Sequence, residues 1–100
     1  MVIGSLEYVY AAVTATIGGV DHDPTGDPVE MAFIGTEDDP AEDDWVEASW
    51  ETISGAYFAK ALVGPSNGVI DLAKGTYRIY VRVTDDPERP VLRAGVLEII

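Results

Sequence analysis

The sequence predicts an all-β domain, a sandwich of about seven antiparallel strands. Apolar and polar residues alternate with a period of two over most of the chain, and clusters of turn formers separate the alternating runs. No stretch keeps a helical period for a useful length. With 100 residues, 47% of them apolar, the chain can bury one core but not two. A single domain over residues 1–100 is therefore expected, with 1–5 as a flexible N-terminus.

Taken in order, the first strand spans Leu6 to Ile17, with Val9, Ala11, Val13, Ala15 and Ile17 on one face and Tyr8, Tyr10, Thr14 and Thr16 on the other. A bend or split is expected near Ala11 and Ala12. The strand ends at Gly18-Gly19, and Asp21 to Pro28 is dense in residues that set turns: proline fixes φ, glycine allows φ > 0, and Asp bonds its own backbone. Val29 to Ile34 is a short strand with Val29, Met31 and Phe33 together. Gly35 to Asp44 reads as a mobile acidic loop. Trp45 to Ile53 alternates again, with Val46, Ala48 and Trp50 opposite Glu47, Ser49 and Glu51.

Ala56 to Val63 follows, with Tyr57, Ala59, Ala61 and Val63 on one face. After the turn at Gly64-Pro65-Ser66-Asn67-Gly68 comes a short strand, Val69 to Leu72. Thr76 to Thr84 is the clearest strand, Tyr77, Ile79, Val81 and Val83 pointing inward and Arg78, Tyr80 and Arg82 outward. Asp85 to Pro90 turns the chain, and Val91 to Ile100 closes the domain with Gly95 as a candidate bulge. Alternation alone leaves an open barrel as the rival to the sandwich.

One local feature narrows the class. In Leu72-Ala73-Lys74-Gly75-Thr76-Tyr77, a leucine and a glycine turn precede a tyrosine entering an alternating strand. This arrangement resembles the tyrosine corner of immunoglobulin-like sandwiches, where the ring is buried and its hydroxyl bonds the backbone a few residues upstream. Tyr77 is expected in that role. Trp45 and Trp50, five residues apart, should face opposite sides: Trp50 inside with Val46 and Ala48, Trp45 near the surface or at an interface.

Charge is uneven along the chain. Residues 1–51 carry 13 acids and no Lys or Arg, whereas 52–100 carry all six basic residues and five acids, for a net charge of −12. Such a chain is repelled by phosphate backbones, so nucleic acid is not an expected partner. An acidic pole that meets a basic surface on a partner protein is the sharper use of this asymmetry. No cysteine is available to staple the fold, attack a substrate or bind a metal. The N-terminus has no basic residue before its apolar stretch, and no window is apolar enough for a membrane span, so neither a secretory signal nor a membrane partner is expected.

Catalysis needs a poised nucleophile, acid or base. His22, the one histidine, sits in a turn between Asp21 and Asp23, and no G-x-S-x-G elbow exists to accompany it. The carboxylate pairs Asp38-Asp39, Asp43-Asp44 and Asp85-Asp86 lie in loops, where acids serve solubility. No enzyme activity and no cofactor are expected. The one metal candidate is calcium at Asp21, Asp23 and Asp27, whose spacing with Gly26 offers oxygen ligands but not a full calcium loop; acidic turns of this kind mostly remain empty, so no metal is expected. Arg78, Tyr80 and Arg82 together with Trp45 form the candidate interface, since Arg and aromatic residues are enriched where partners bind most strongly. Cross-strand packing is the competing explanation for Tyr80.

The runs Asp23-Pro24-Thr25-Gly26-Asp27-Pro28-Val29-Glu30-Met31-Ala32-Phe33, Leu62-Val63-Gly64-Pro65, Gly75-Thr76-Tyr77-Arg78-Ile79-Tyr80-Val81-Arg82-Val83-Thr84-Asp85 and Pro87-Glu88-Arg89-Pro90-Val91 resemble those of small immunoglobulin-like structural proteins of tailed bacteriophages and prophages of actinobacteria. The resemblance implies a non-enzymatic virion component of head, neck, tail or decoration, assembled in the host cytoplasm. It also implies partners among other phage structural proteins, in a homo-oligomer or ring. A carbohydrate-binding or adhesin-like sandwich is the alternative, with Tyr8, Tyr10 or Trp45 stacking on sugar rings.

Overall fold

Alternating side chains sort into a dry inner layer when two sheets stack, and that is the arrangement found. The computed structural model describes residues 1–14, 16, 17, 20, 21, 23–85 and 88–100. Its strands are β1 (Glu7–Val13), β2 (Thr16–Ile17), β3 (Val20–Asp21), β4 (Val29–Ile34), β5 (Val46–Glu47), β6 (Ser49–Ile53), β7 (Ala56–Val63), β8 (Gly75–Val83) and β9 (Val91–Ile99). One sheet has the order β1-β7-β6 and the other β5-β4-β8-β9; β2 and β3 pair only with each other. Every pairing between these strands is antiparallel.

The core lies between the two sheets. Ala11, Ala59 and Ala61 line the inner face of the first, and Met31, Phe33, Ile79 and Val81 line the second, so small residues oppose large ones and the layers interdigitate. Met31, Val63 and Val81 are among the largest side chains buried outright. Val46, Ala48 and Trp50 pack against the same core from its margin.

Turns behave as their chemistry requires. Ser54 and Gly55 join β6 to β7 with φ of 51° and 81°, the doubly positive pair that matches the twist of a tight hairpin. Gly95 has φ 151°, and the β8–β9 register slips there: Ile79 faces Gly95, Tyr80 faces Arg93, and Ala94 is the extra residue. At Gly64, with φ 142°, a Cβ would collide with the Ser5 carbonyl oxygen and lie 2.8 Å from Leu6 Cα. Only glycine lets the N-terminal segment pass this closely.

Several boundaries differ from the sequence reading, each for a physical reason. The first expected strand stops at Val13, and Thr16–Ile17 belongs to the separate β2–β3 pair. The expected strand Trp45–Ile53 is two strands in different sheets: β5 pairs with β4, β6 with β7, and the chain crosses at Ala48, whose N–H donates to the Val29 carbonyl at 3.2 Å. Alternation cannot register that crossing, because Val46, Ala48 and Trp50 keep facing the core throughout. Val69–Leu72 contributes one parallel bridge, Ile70 with Val63, instead of a strand. The N-terminus expected to be loose is bonded to the end of β9. Ile3 N–H donates to the Ile100 carbonyl at 2.7 Å, Ile100 N–H to Met1 at 2.9 Å, and the terminal amine to Glu98 at 3.0 Å.

Tyr77 is half-buried against the core, and its hydroxyl donates to the Ala73 carbonyl at 2.8 Å. That bond ties the start of β8 to the crossover from β7, while Leu72 in the same crossover is buried in the core.

Candidate functional site

The outer face of the four-stranded sheet is not open. Residues 35–45 lie across it as a strap, pinned by two arginines of β8. Arg82 presents its whole fork: Nε and Nη2 donate to Glu30 Oε1 at 3.1 and 2.7 Å, and Nη1 and Nη2 donate to Glu42 Oε2 and Oε1 at 3.0 and 3.2 Å. Its guanidinium also lies 4.6 Å from the centre of the Trp45 ring. Arg78 holds the near end of the strap through Glu37 at 2.6 Å and the Thr36 carbonyl at 3.3 Å. Beneath it, Ala32, Ile34 and Tyr80 form a second small core, with Trp45 packed at its side.

Two carboxyl groups register these clamps. The hydrogen bond from Arg78 and its positive charge hold the Glu37 carboxyl below its ordinary range, and Arg82 does the same to Glu42. The strap is otherwise closed on itself. Ala41 N–H donates to Asp44 Oδ2 at 2.8 Å, and Asp38 N–H to Thr36 Oγ1 at 3.3 Å.

The expected interface therefore needs correction. Arg82 is 7% exposed and Tyr80 is 8% exposed, so neither faces outward to a partner; the chain's own strap covers both. Arg78 and Trp45 are half-buried at the margin of the same contact. The sequence signal for this cover is Met31-Ala32-Phe33-Ile34, an unbroken apolar run, which marks a strand covered on both faces. Trp50 packs against the main core, and its Nε1 donates to the Asp27 carbonyl at 2.8 Å.

For the calcium reading, His22 and the side chain of Asp21 lie outside the described residues. Asp23 caps the single turn Pro24–Gly26, its Oδ1 accepting from Thr25 N–H at 2.9 Å and Thr25 Oγ1 at 2.6 Å. Asp27 N–H closes that turn on the Pro24 carbonyl at 3.0 Å. No group of three or more metal-ligating side chains is gathered among the described residues.

What remains open is an apolar flank. Among the described residues, nine of the eleven exposed large hydrophobics fall in residues 2–10 and 91–100. These stretches meet in space, since the N-terminal segment bonds to the end of β9, and β1 and β9 approach each other at the side of the sandwich. Residues 1–13 and 91–100 hold only three charged side chains, Glu7, Arg93 and Glu98, in a chain of net charge −12. Depletion of charge with retention of aromatics is what the centre of a protein interface looks like.

On the outer face of the three-stranded sheet, Tyr8, Tyr10 and Phe58 form a ring cluster. Tyr8 and Tyr10 are tilted at 51° and Tyr10 meets Phe58 edge-on at 86°, with centroids 6.3 Å apart in both pairs. Lys60 Nζ sits 4.6 Å from the Tyr8 centroid and bonds Glu51 at 3.0 Å. A shallow groove of about 250 Å³ opens beside Tyr8, lined also by Ser49, Asn67 and Val69.

The comparisons with known proteins add no relative. No family model, curated protein or solved structure matches this chain. Among the described residues, no helix is long and apolar enough to cross a membrane.

Proposed function

We propose that this chain is a non-enzymatic building block of a tailed-phage particle, acting through protein–protein contacts and assembled in the host cytoplasm. The observation that carries this reading is an apolar flank with few charges in a strongly acidic chain. It runs along β1, β9 and the N-terminal segment and meets the acidic strap at Val96, which borders the same groove as Thr36 and Glu37. Net acidity keeps the free protein soluble, and the flank is where water is best expelled by a neighbour.

The strand order supports the immunoglobulin-like half of the proposal. With β1, β4, β5, β6, β7, β8 and β9 lettered B, C, C′, D, E, F and G, the sheets read B-E-D and C′-C-F-G. The Tyr77 bond then falls at the E–F corner, where such folds carry it. Partners are other structural proteins of the particle, arranged in a ring or homo-oligomer.

Mass spectrometry of purified particles from a host carrying the gene tests the reading. The chain is expected in near-stoichiometric ratio to the major structural proteins; its absence from intact particles overturns the proposal. A carbohydrate-binding module is the second reading, supported by the groove beside Tyr8 with Ser49 and Asn67 as polar partners. The tilted rings offer no flat platform, and Trp45 already has Arg82 on its face, so this reading stands second. A glycan array with no signal from the folded protein removes it.

A further inference from the structure

We infer that Asn67-Gly68 is a site of spontaneous covalent modification: the Gly68 backbone nitrogen attacks the Asn67 carboxamide, and the isoaspartyl product loosens the backbone contact between Gly68 and Gly64. This chemistry does not depend on the particle reading above.

The sequence isolates the reacting group. Asn67 is the chain's one asparagine and glutamine is absent, so it carries the one side-chain amide in 100 residues. Glycine follows it, and a residue without a Cβ lets its nitrogen approach a neighbouring carbonyl carbon with least hindrance.

The fold leaves this pair open to reaction. Asn67 is exposed in the loop between β7 and the bridge at Ile70. A three-residue turn holds it there: Asn67 N–H donates to the Pro65 carbonyl at 3.0 Å around Ser66, whose φ is 71°. That is the strained hand of such a turn for a residue with a side chain. The turn engages the Asn67 N–H and not the next one. Among the described residues, no acceptor takes the Gly68 N–H.

The step needs water and no oxidant or reductant. The bond from Gly68 N to Asn67 Cγ forms as the Gly68 proton passes to solvent, the Cγ–Nδ2 bond breaks, and ammonia leaves a succinimide ring. Water then adds to one ring carbonyl and breaks its bond to the Gly68 nitrogen. Opening at Cγ gives aspartate. Opening at the main-chain carbonyl gives isoaspartate, whose backbone runs through Cβ and Cγ and is longer by one atom. In sum, amide and water become carboxylate and ammonium.

The longer backbone does not fit. A Cβ on Gly68 would collide with the Gly64 carbonyl oxygen and lie 2.7 Å from Gly64 N, so the two glycines already touch backbone to backbone. Gly64 packs in the same way on Ser5 and Leu6. Two hydrogen bonds close the loop around Asn67: Val69 N–H to the Leu62 carbonyl at 2.8 Å, and Gly64 N–H to the Ile70 carbonyl at 2.9 Å. An extra atom inside that loop lifts Gly68 from Gly64 or breaks one of these bonds. The new carboxylate also joins Glu47 on the groove beside Tyr8.

Ageing the folded protein beside a free peptide of residues 63–69 tests the site, with amide loss read by intact mass and released ammonia. With one amide per chain, all ammonia comes from Asn67. Loss from the folded chain is expected within about tenfold of the peptide rate, and Asn67→Gln, whose longer side chain closes a ring less readily, should be slower than the native chain by at least about tenfold. Isoaspartate should map to position 67 by enzymatic methylation. The purified isoaspartyl protein should exchange its Gly64 and Val69 amide protons at least about tenfold faster than Asn67→Asp, which has the same charge on an unlengthened backbone.

A folded chain whose amide outlasts the peptide's by more than that factor overturns the site. Equal loss from Asn67→Gln overturns the succinimide route. An isoaspartyl protein that exchanges like Asn67→Asp overturns the loosening.

Discussion

The Arg82 guanidinium lies 4.6 Å from the centre of the Trp45 ring while its fork is divided between Glu30 and Glu42. This contact joins a central strand of one sheet to the strap that crosses it, and it turns an outward position into a buried one. Because the Glu42 side chain is 74% exposed, it can return to water when its partner is lost. Arg82→Met should therefore cost only about 1 kcal/mol, while freeing the strap and shifting Trp45 emission to the red. Arg82→Glu gathers three carboxylates and should cost more than about 2 kcal/mol in urea denaturation. Arg78→Glu, whose partner Glu37 is almost fully exposed, should cost less than Arg82→Glu in the same measurement.

Acid should loosen the same strap. Glu37 and Glu42 have folded-state pKa values below the ordinary 4.5, so their clamps stabilise the fold above that value. The contribution disappears as pH falls below 4.5 through the lowered values. Tryptophan emission followed from pH 6 to pH 2 should report release in that acid window, and Glu42→Gln should remove the Arg82 part of the transition. An unchanged titration in that variant would show that Glu42 does not govern the strap.

The Tyr77 hydroxyl is the simplest element to delete. Tyr77→Phe keeps the ring against the core and removes only the bond to Ala73, so stability should fall by about 1 kcal/mol with the far-ultraviolet spectrum unchanged. Equal denaturation midpoints for both proteins would show that the corner bond adds nothing net.

Glycine at position 64 is required by a neighbour as much as by its own φ. Gly64→Ala places a methyl against the backbone of Ser5 and Leu6, and backbone cannot swing aside as a side-chain tip can. A loss above about 2 kcal/mol is expected, with faster amide exchange over residues 1–6. Gly26→Ala, where a Cβ meets nothing within 4 Å, is the matched control and should change stability by under about 1 kcal/mol.

How much could be read in advance depended on range. Alternation at Ala59, Ala61 and Val63, or at Tyr77, Ile79 and Val81, is a local consequence of the pleat, so inward faces were legible. Tyr77 and Trp50 sit against the core for the same reason. The strap was not legible: residues 35–44 are polar and acidic, and nothing local shows that Arg78 and Arg82, some forty residues on, will hold them down. Hence the period places Tyr80 and Arg82 on the face away from the main core, while the strap that covers that face is not encoded locally.

From composition and period alone came the class of fold, the main core, the turns and the inward faces of β1, β7 and β8, because each follows from steric and solvation preferences acting within a few residues. Tertiary structure alone decided where the chain leaves one sheet for the other at Ala48, which face the strap buries, and which strands lie outermost in each sheet. Those are contacts between residues distant in sequence, and they depend on backbone pairing that a side-chain pattern does not encode.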